Sequence, residues 1–173
     1  MNDRNALSSA ASKASEVRDA LLKNEAVARA RIDEVARSFV GTPYHDHAEV
    51  KGVGCDCATL LKMVFVEAGL VADFDIGPYS PQFFLHQPEE RYLGWVAKFA
   101  REIPREEAKT GDVVLYKIGQ CFAHAAVIIA PGWPHIVHAH YAARRVRRGF
   151  GDHVHLGMPI LDTKWFSVFQ RPS

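Results

Sequence analysis

The chain has 173 residues, enough to bury a real core in one domain with room for a small appendage. It is 48% hydrophobic and 24% charged with a formal net charge of +1, so the totals point neither to nucleic acid nor to an anionic surface as partner. No apolar run approaches the roughly 18 residues of a membrane span, and the start MNDRNALSSAASKASEVRDALLK lacks the hydrophobic centre of a signal peptide; synthesis in the cytoplasm without an export signal is expected.

Residues 7–40 are rich in Ala, Glu, Lys and Arg. Ala14, Val17 and Leu21, then Val27, Ile32, Val35, Ala36 and Phe39, recur at helical spacing, which predicts two helices with a break near Asn24. Gly41, Thr42 and Pro43 end the second, because proline disfavours helical geometry before it and has no amide to donate. A loop rich in His and Gly follows over 44–54. Asp56 is placed to cap the next helix, whose wide apolar face is Leu60, Leu61, Val64, Phe65 and Ala68, and Gly69 fits its stop.

Residues 71–88 read as irregular. The stretch PEERYLGWVAKFAREI predicts an amphipathic helix with Pro88 in its first turn and Tyr92, Val96, Phe99 and Ile103 inward. After Thr110 and Gly111 the pattern becomes strand-like: DVVLYKI, HAAVIIA, HIVHAHY, a stretch near Val146, and KWFSVFQ, separated by Gly and Pro. A helical half followed by a stranded half implies an α+β fold, helices packed on an antiparallel sheet of five to six strands. There are no repeats and no interdomain linker.

Three cysteines, Cys55, Cys57 and Cys121, are too few and too oddly spaced for a disulfide framework and favour a reducing compartment or a reactive thiol. Cys57 opens the apolar helix, where free amides and the helix dipole favour a thiolate. A cysteine nucleophile also needs a base and a group that orients the base. His124 and His138 lie on successive predicted strands, so antiparallel neighbours can bring their imidazoles side by side.

In order and approximate spacing, GTPY, GVGCDCATLL, TGDVVLY, HAAVII and IVHA resemble the motifs of the NlpC family of papain-like cell-wall cysteine peptidases. The match runs from about Ala28 to the C-terminus, and implies an N-terminal helical extension over 1–24 and a papain-like peptidase domain over 25–173. GTPYHDH, GVGCDC and GPYSPQFF look most like the branch found in phage tails and gene-transfer particles.

The resemblance implies Cys57 as nucleophile, His124 as general base and acid, and His138 as the group orienting His124. It makes Tyr44 a residue that helps bind the oxyanion or hold the substrate, with the Cys57 amide, and Asp56 one that contacts a substrate amine or braces the site. The implied substrate is the peptide stem of peptidoglycan, cleaved between γ-D-glutamyl and a diamino acid, with no metal or organic cofactor. Tail or other particle proteins are implied partners, nucleic acid and membrane are not, and the chain would reach the wall within a particle or through another secretion route. Ala58 and Thr59 depart from the family's Ser-Gly, and Ala125 and Ala126 from its Val-Gly. An amidase or acyltransferase on the same scaffold, or a non-catalytic tail-assembly module, are the alternatives.

Several residues carry two readings. Cys55 is an inert neighbour or a regulatory thiol, and Cys121 reads as loop or site rim. The cysteines and nearby histidines are zinc-type ligands, but paired C-x-x-C knuckles are missing. His140 shares a strand face with His138 and competes for the orienting role. His45, His47, His86, His135, His153 and His155 read as loop residues, with His45 and His47 close enough to Tyr44 to line a cleft. Arg144, Arg145, Arg147 and Arg148 form either a solvated face or a basic rim that attracts carboxylates or a partner protein.

Overall fold

The computed structural model describes residues 3–80, 89–157 and 159–169. Two helices open it, α1 (Asp3–Lys23) and α2 (Glu25–Ser38), and the break between them is capped by Asn24, whose side chain accepts the Val27 amide at 3.3 Å. Helix α2 buries Ala28, Ile32, Val35 and Ala36; Leu21 and Leu22 at the end of α1 pack against the same core. The expected loop after α2 contains a short hairpin, β1 (Glu49–Val50) and β2 (Gly54–Cys55).

Helix α3 (Cys57–Glu67) follows at once and buries Leu60, Val64 and Phe65, side chains that contribute about 1.5–3 kcal/mol each when fully buried. It stops as expected. Gly69 adopts φ +81, and the Leu70 amide returns to the Phe65 carbonyl at 3.0 Å, a left-handed ending that glycine takes without strain. Lys62 then ties β1 and the irregular segment after α3 to the helix through Glu49 at 2.7 Å and Asp73 at 2.9 Å.

The next helix is shorter than its pattern suggests. Helix α4 spans Arg91–Ala97 and buries Tyr92 and Val96, whereas Arg101–Ile103 forms strand β3. The stretch leaves the helix because Arg101 and Ile103 pair with Ser167 and Trp165 of a distant strand, a tertiary contact that outweighs local periodicity. Phe99 is half-buried against Phe74, and Ile103 packs on the opposite side of the sheet from α4's buried residues. Pro88 and His86 lie outside the described residues.

A 3₁₀ turn (Arg105–Glu107) leads to β4 (Val113–Ile118), β5 (Cys121–Ile128), β6 (His135–His140), β7 (Arg145–Phe150) and β8 (Ile160–Ser167). The order is β3-β8-β4-β5-β6-β7, antiparallel throughout, so the fold is α+β with a six-stranded sheet. The fifth and eighth strands begin earlier than their apolar runs. Cys121 is therefore a fully buried strand residue, not a loop or rim residue.

One sheet face, with Val113, Leu115, Val127, Val137 and Ala139, packs under the helices. The other carries Val114, Tyr116, Ile128, Ile136 and Trp165, with Trp133 edge-on to Trp165 at 4.5 Å. Asp112 fastens α2 to the sheet by accepting Arg29 at 2.9 Å and the Lys109 amide at 2.8 Å. No helix among the described residues is long and apolar enough to cross a membrane.

Candidate active site

Cys57 is the first residue of α3, and its placement depends on Asp56. The Asp56 carboxylate accepts the amides of Ala58 and Thr59 at 3.0 Å each, and the Thr59 hydroxyl accepts the Asp56 amide at 2.9 Å, a reciprocal capping box. Its other oxygen accepts the His47 amide at 2.8 Å and the Tyr79 hydroxyl. Only 2% exposed, Asp56 braces the site, and its oxygens are already engaged by the protein. Thr59, one of the departures from the family pattern, completes this cap; its spacing three residues after Asp56 was the signal for it.

The thiol faces strand β5. Between β4 and β5 the register slips, with Tyr116 opposite His124 and Lys117 opposite Phe122, so Ala123 bulges without a partner on β4. Cys57 Sγ donates to this Ala123 carbonyl at 3.6 Å, one residue before His124. From behind, the buried Tyr92 hydroxyl donates to the Cys57 carbonyl at 2.7 Å and fixes the helix start to α4.

The two histidines meet where strands part. Strands β5 and β6 pair at Val127↔Val137 and Ile128↔Ile136, but toward His124 the first follows β4 while the second, through His138 to His140, follows β7. His124 Nε2 and His138 Nδ1 share a hydrogen bond of 3.0 Å across the opening. Both imidazoles are buried, and the Tyr116 ring lies 5.8 Å from that of His124. His140 is engaged elsewhere: its Nε2 bonds the His155 carbonyl at 2.9 Å and its Nδ1 accepts the Ala143 amide at 2.9 Å. It touches the pair only edge-on to His138 at 5.1 Å.

The electrostatics differ from those of a simple helix terminus. Burial, then the neighbouring Asp56 charge, push the Cys57 thiol up, and these outweigh the lowering by the amides of Cys57 and Ala58. Burial, then His138 and His140, hold His124 well below the usual imidazole range; His138 is pushed down to about 3 by burial, then His140 and Arg147. These influences oppose the thiolate that the helix dipole is expected to favour. Both directions favour the neutral thiol and the neutral imidazole, in keeping with a thiol that donates to a carbonyl.

Tyr44 is half-buried beside the loop that leads into Cys57. Its neighbours lock to β2, with Cys55 donating to the Pro43 carbonyl and His45 to the Cys55 carbonyl, both at 3.0 Å. Burial first, then the neighbouring Cys57 and Asp56, push its hydroxyl pKa up and keep it a hydrogen-bond donor. His45 packs so tightly on Gly54 that a side chain there would meet its ring at 2.8 Å, and the His47 ring lies 4.1 Å from that of Tyr79. His153 and His155 are exposed, whereas His135 is half-buried at the start of β6.

Cys55 is fully buried with its thiol pushed up to about 12, mainly by burial; Cys121 is pushed up to about 11 for the same leading reason. Among the described residues no group of three or more His, Cys, Asp or Glu is arranged to hold a metal ion. Tyr79, Tyr92 and Tyr116 are site residues that sequence reasoning missed; isolated tyrosines in an irregular segment, a helix and a strand carry no pattern that links them to Cys57.

No protein-family model and no curated protein matches this chain. Among solved structures it is similar to the NlpC/p60 domain of the peptidoglycan hydrolase SagA, at 21% identity and a TM-score of 0.52 over 72% of this chain and 90% of that one. It is similar to the peptidoglycan hydrolase RipB from Mycobacterium tuberculosis at 20% identity and a TM-score of 0.57, over 91% of this chain and 71% of that one. A third similarity is to the P60 domain of an antigen from M. avium subspecies paratuberculosis, at 19% identity and a TM-score of 0.52, over 83% and 96% of the two chains. The shared feature is the papain-like α+β fold of NlpC/p60 domains.

Proposed function

We propose that this protein is a cysteine peptidase that hydrolyses amide bonds in the peptide stem of bacterial peptidoglycan. The observation that carries the reading is that the Cys57 thiol rests on the carbonyl of Ala123, the residue before His124, and that the His124 imidazole is hydrogen-bonded to His138. The hydrogen bond through Nε2 leaves Nδ1 of His124 to take the thiol proton.

In this reading the Cys57 proton passes to His124 as sulfur attacks the scissile carbonyl, and His138 supports the imidazolium that forms. The Cys57 amide and the Tyr44 hydroxyl donate to the oxyanion. The new C–S bond is kept when the C–N bond breaks, and His124 returns its proton to the leaving amine. Water, deprotonated by the same histidine, then cleaves the thioester and restores the thiol. With burial favouring the neutral form of both partners, the proton moves as the carbonyl is attacked.

The finer assignment is a γ-D-glutamyl-diamino acid bond, supported by the resemblance of the ordered motifs and by similarity to hydrolases of this fold. Delivery to the wall as part of a tail or other particle is supported by sequence alone, in GTPYHDH, GVGCDC and GPYSPQFF. The test is digestion of purified muropeptides with products weighed by mass spectrometry. Hydrolysis by the wild type and its loss in a folded Cys57→Ala variant support the reading; equal activity in that variant ends it, and transfer products identify an acyltransferase.

A further inference from the structure

The turn between β6 and β7, residues 141–144, is fastened to both sides of the candidate site. The Tyr44 amide donates to the Arg144 carbonyl at 2.9 Å, and the Ala143 amide donates to Nδ1 of His140, whose ring abuts His138. Arg144 itself adopts φ +54, a left-handed backbone that costs a non-glycine residue roughly 1–3 kcal/mol. Strain of this kind persists where the surroundings impose it. Here it points the guanidinium over two rings, 5.8 Å from the centre of Tyr44 and 5.4 Å from that of Tyr141, which meet edge-on at 5.4 Å.

A guanidinium lying over an aromatic ring uses its face and leaves its N–H fork free. Arg29 and Arg37 spend their forks on carboxylates and carbonyls, yet among the described residues no carboxylate or carbonyl engages the fork of Arg144. It is exposed, and the exposed Arg145, Arg147 and Arg148 add to the positive field around it. The result is a pre-oriented cation over the ring of Tyr44, whose hydroxyl would bind the oxyanion.

We propose that Arg144 is a specificity residue that receives a substrate carboxylate lying a few bonds from the scissile carbonyl; this rests on the reading of the site as an amide hydrolase. Such a group exists where glutamate is linked through its side-chain carboxyl, because that linkage leaves the α-carboxylate free. An ordinary α-linked peptide places no carboxylate there unless a side chain supplies it.

Two synthetic stem peptides that differ only in this group, one a carboxylate and one a carboxamide, make the test with the full chain. The wild type is expected to favour the acid by about 10- to 100-fold in kcat/KM, the range of a charge-assisted, bidentate hydrogen bond. In Arg144→Gln and in Arg144→Gly, the latter compatible with the left-handed backbone, the acid-to-amide ratio should collapse toward one. A ratio that survives in both variants, or a wild type that cleaves acid and amide equally, overturns the proposal and leaves the hydrolase reading standing. A wild type inert to both peptides overturns the hydrolase reading, and the assignment of Arg144 falls with it.

Discussion

The two ends of the β5–β6 pair behave differently. At the closed end, Val127, Ile128, Ile136 and Val137 face each other, almost wholly buried, and the ladder satisfies their backbone. At the open end the strands turn to other partners, and His124 and His138 fill the gap with a hydrogen bond to one another. A closed ladder tolerates only apolar neighbours, since it offers side chains no polar partner. An opened one frees a carbonyl, such as that of Ala123, and makes room for imidazoles whose polar atoms satisfy each other.

The largest test of this contrast is at the open end. His124→Ala should lower kcat/KM on muropeptides by about 1,000- to 10,000-fold, with secondary structure by circular dichroism unchanged. A loss below tenfold would show that another group takes the thiol proton.

Next in size is the response to acid. An imidazole held neutral in the folded chain but free to protonate when unfolded means that the unfolded state binds more protons below pH 6.5. Stability should therefore fall as the pH drops from 6.5, by up to about 1.4 kcal/mol per pH unit for each of His124 and His138, until His138 protonates in the fold at about 3. Urea midpoints at pH 7, 6 and 5 measure the slope, and His138→Gln should flatten it. Equal slopes would mean that His138 is not held neutral.

The closed end should answer only in stability. Val137→Ala removes buried methyl groups at a fully enclosed position and should cost about 2 kcal/mol of unfolding free energy, with turnover per folded molecule retained. A proportionate loss of turnover would show that packing under the sheet sets the histidine geometry.

The thiol offers a finer probe. With the pKa of Cys57 raised by burial, its alkylation by iodoacetamide, located by peptide mass spectrometry, should rise about tenfold per pH unit between 6 and 8. A rate already at its plateau at pH 6 would indicate a preformed thiolate. The smallest effect is expected at the cap: Thr59→Val loses the hydroxyl of the capping box at near-constant volume and should lower stability by about 1 kcal/mol, read from thermal unfolding.

Much of this was legible in the residues. Asn24 and Asp56 announce helix starts, Gly69 a stop, and the alternation of His138 and His140 with Val137 and Ala139 puts both histidines on one strand face. That shared face is why the sequence could not separate the two. The separation came from partners: His140 is consumed by Ala143 and His155, leaving His138 to reach His124. Likewise Arg101–Ile103 continues a helical pattern and becomes a strand because of Trp165 and Ser167, which no local window contains.

By itself the sequence determined the α+β division, the helix caps and the residue types of the site, since these follow from periodicity and local backbone chemistry. Only the tertiary structure decided the bulge at Ala123, the parting of β5 from β6, the tyrosines on Asp56 and Cys57, and the burial that disfavours charge on thiol and imidazole. Each of these depends on which distant segments meet and how much water they exclude, and neither quantity is carried by neighbouring residues in the chain.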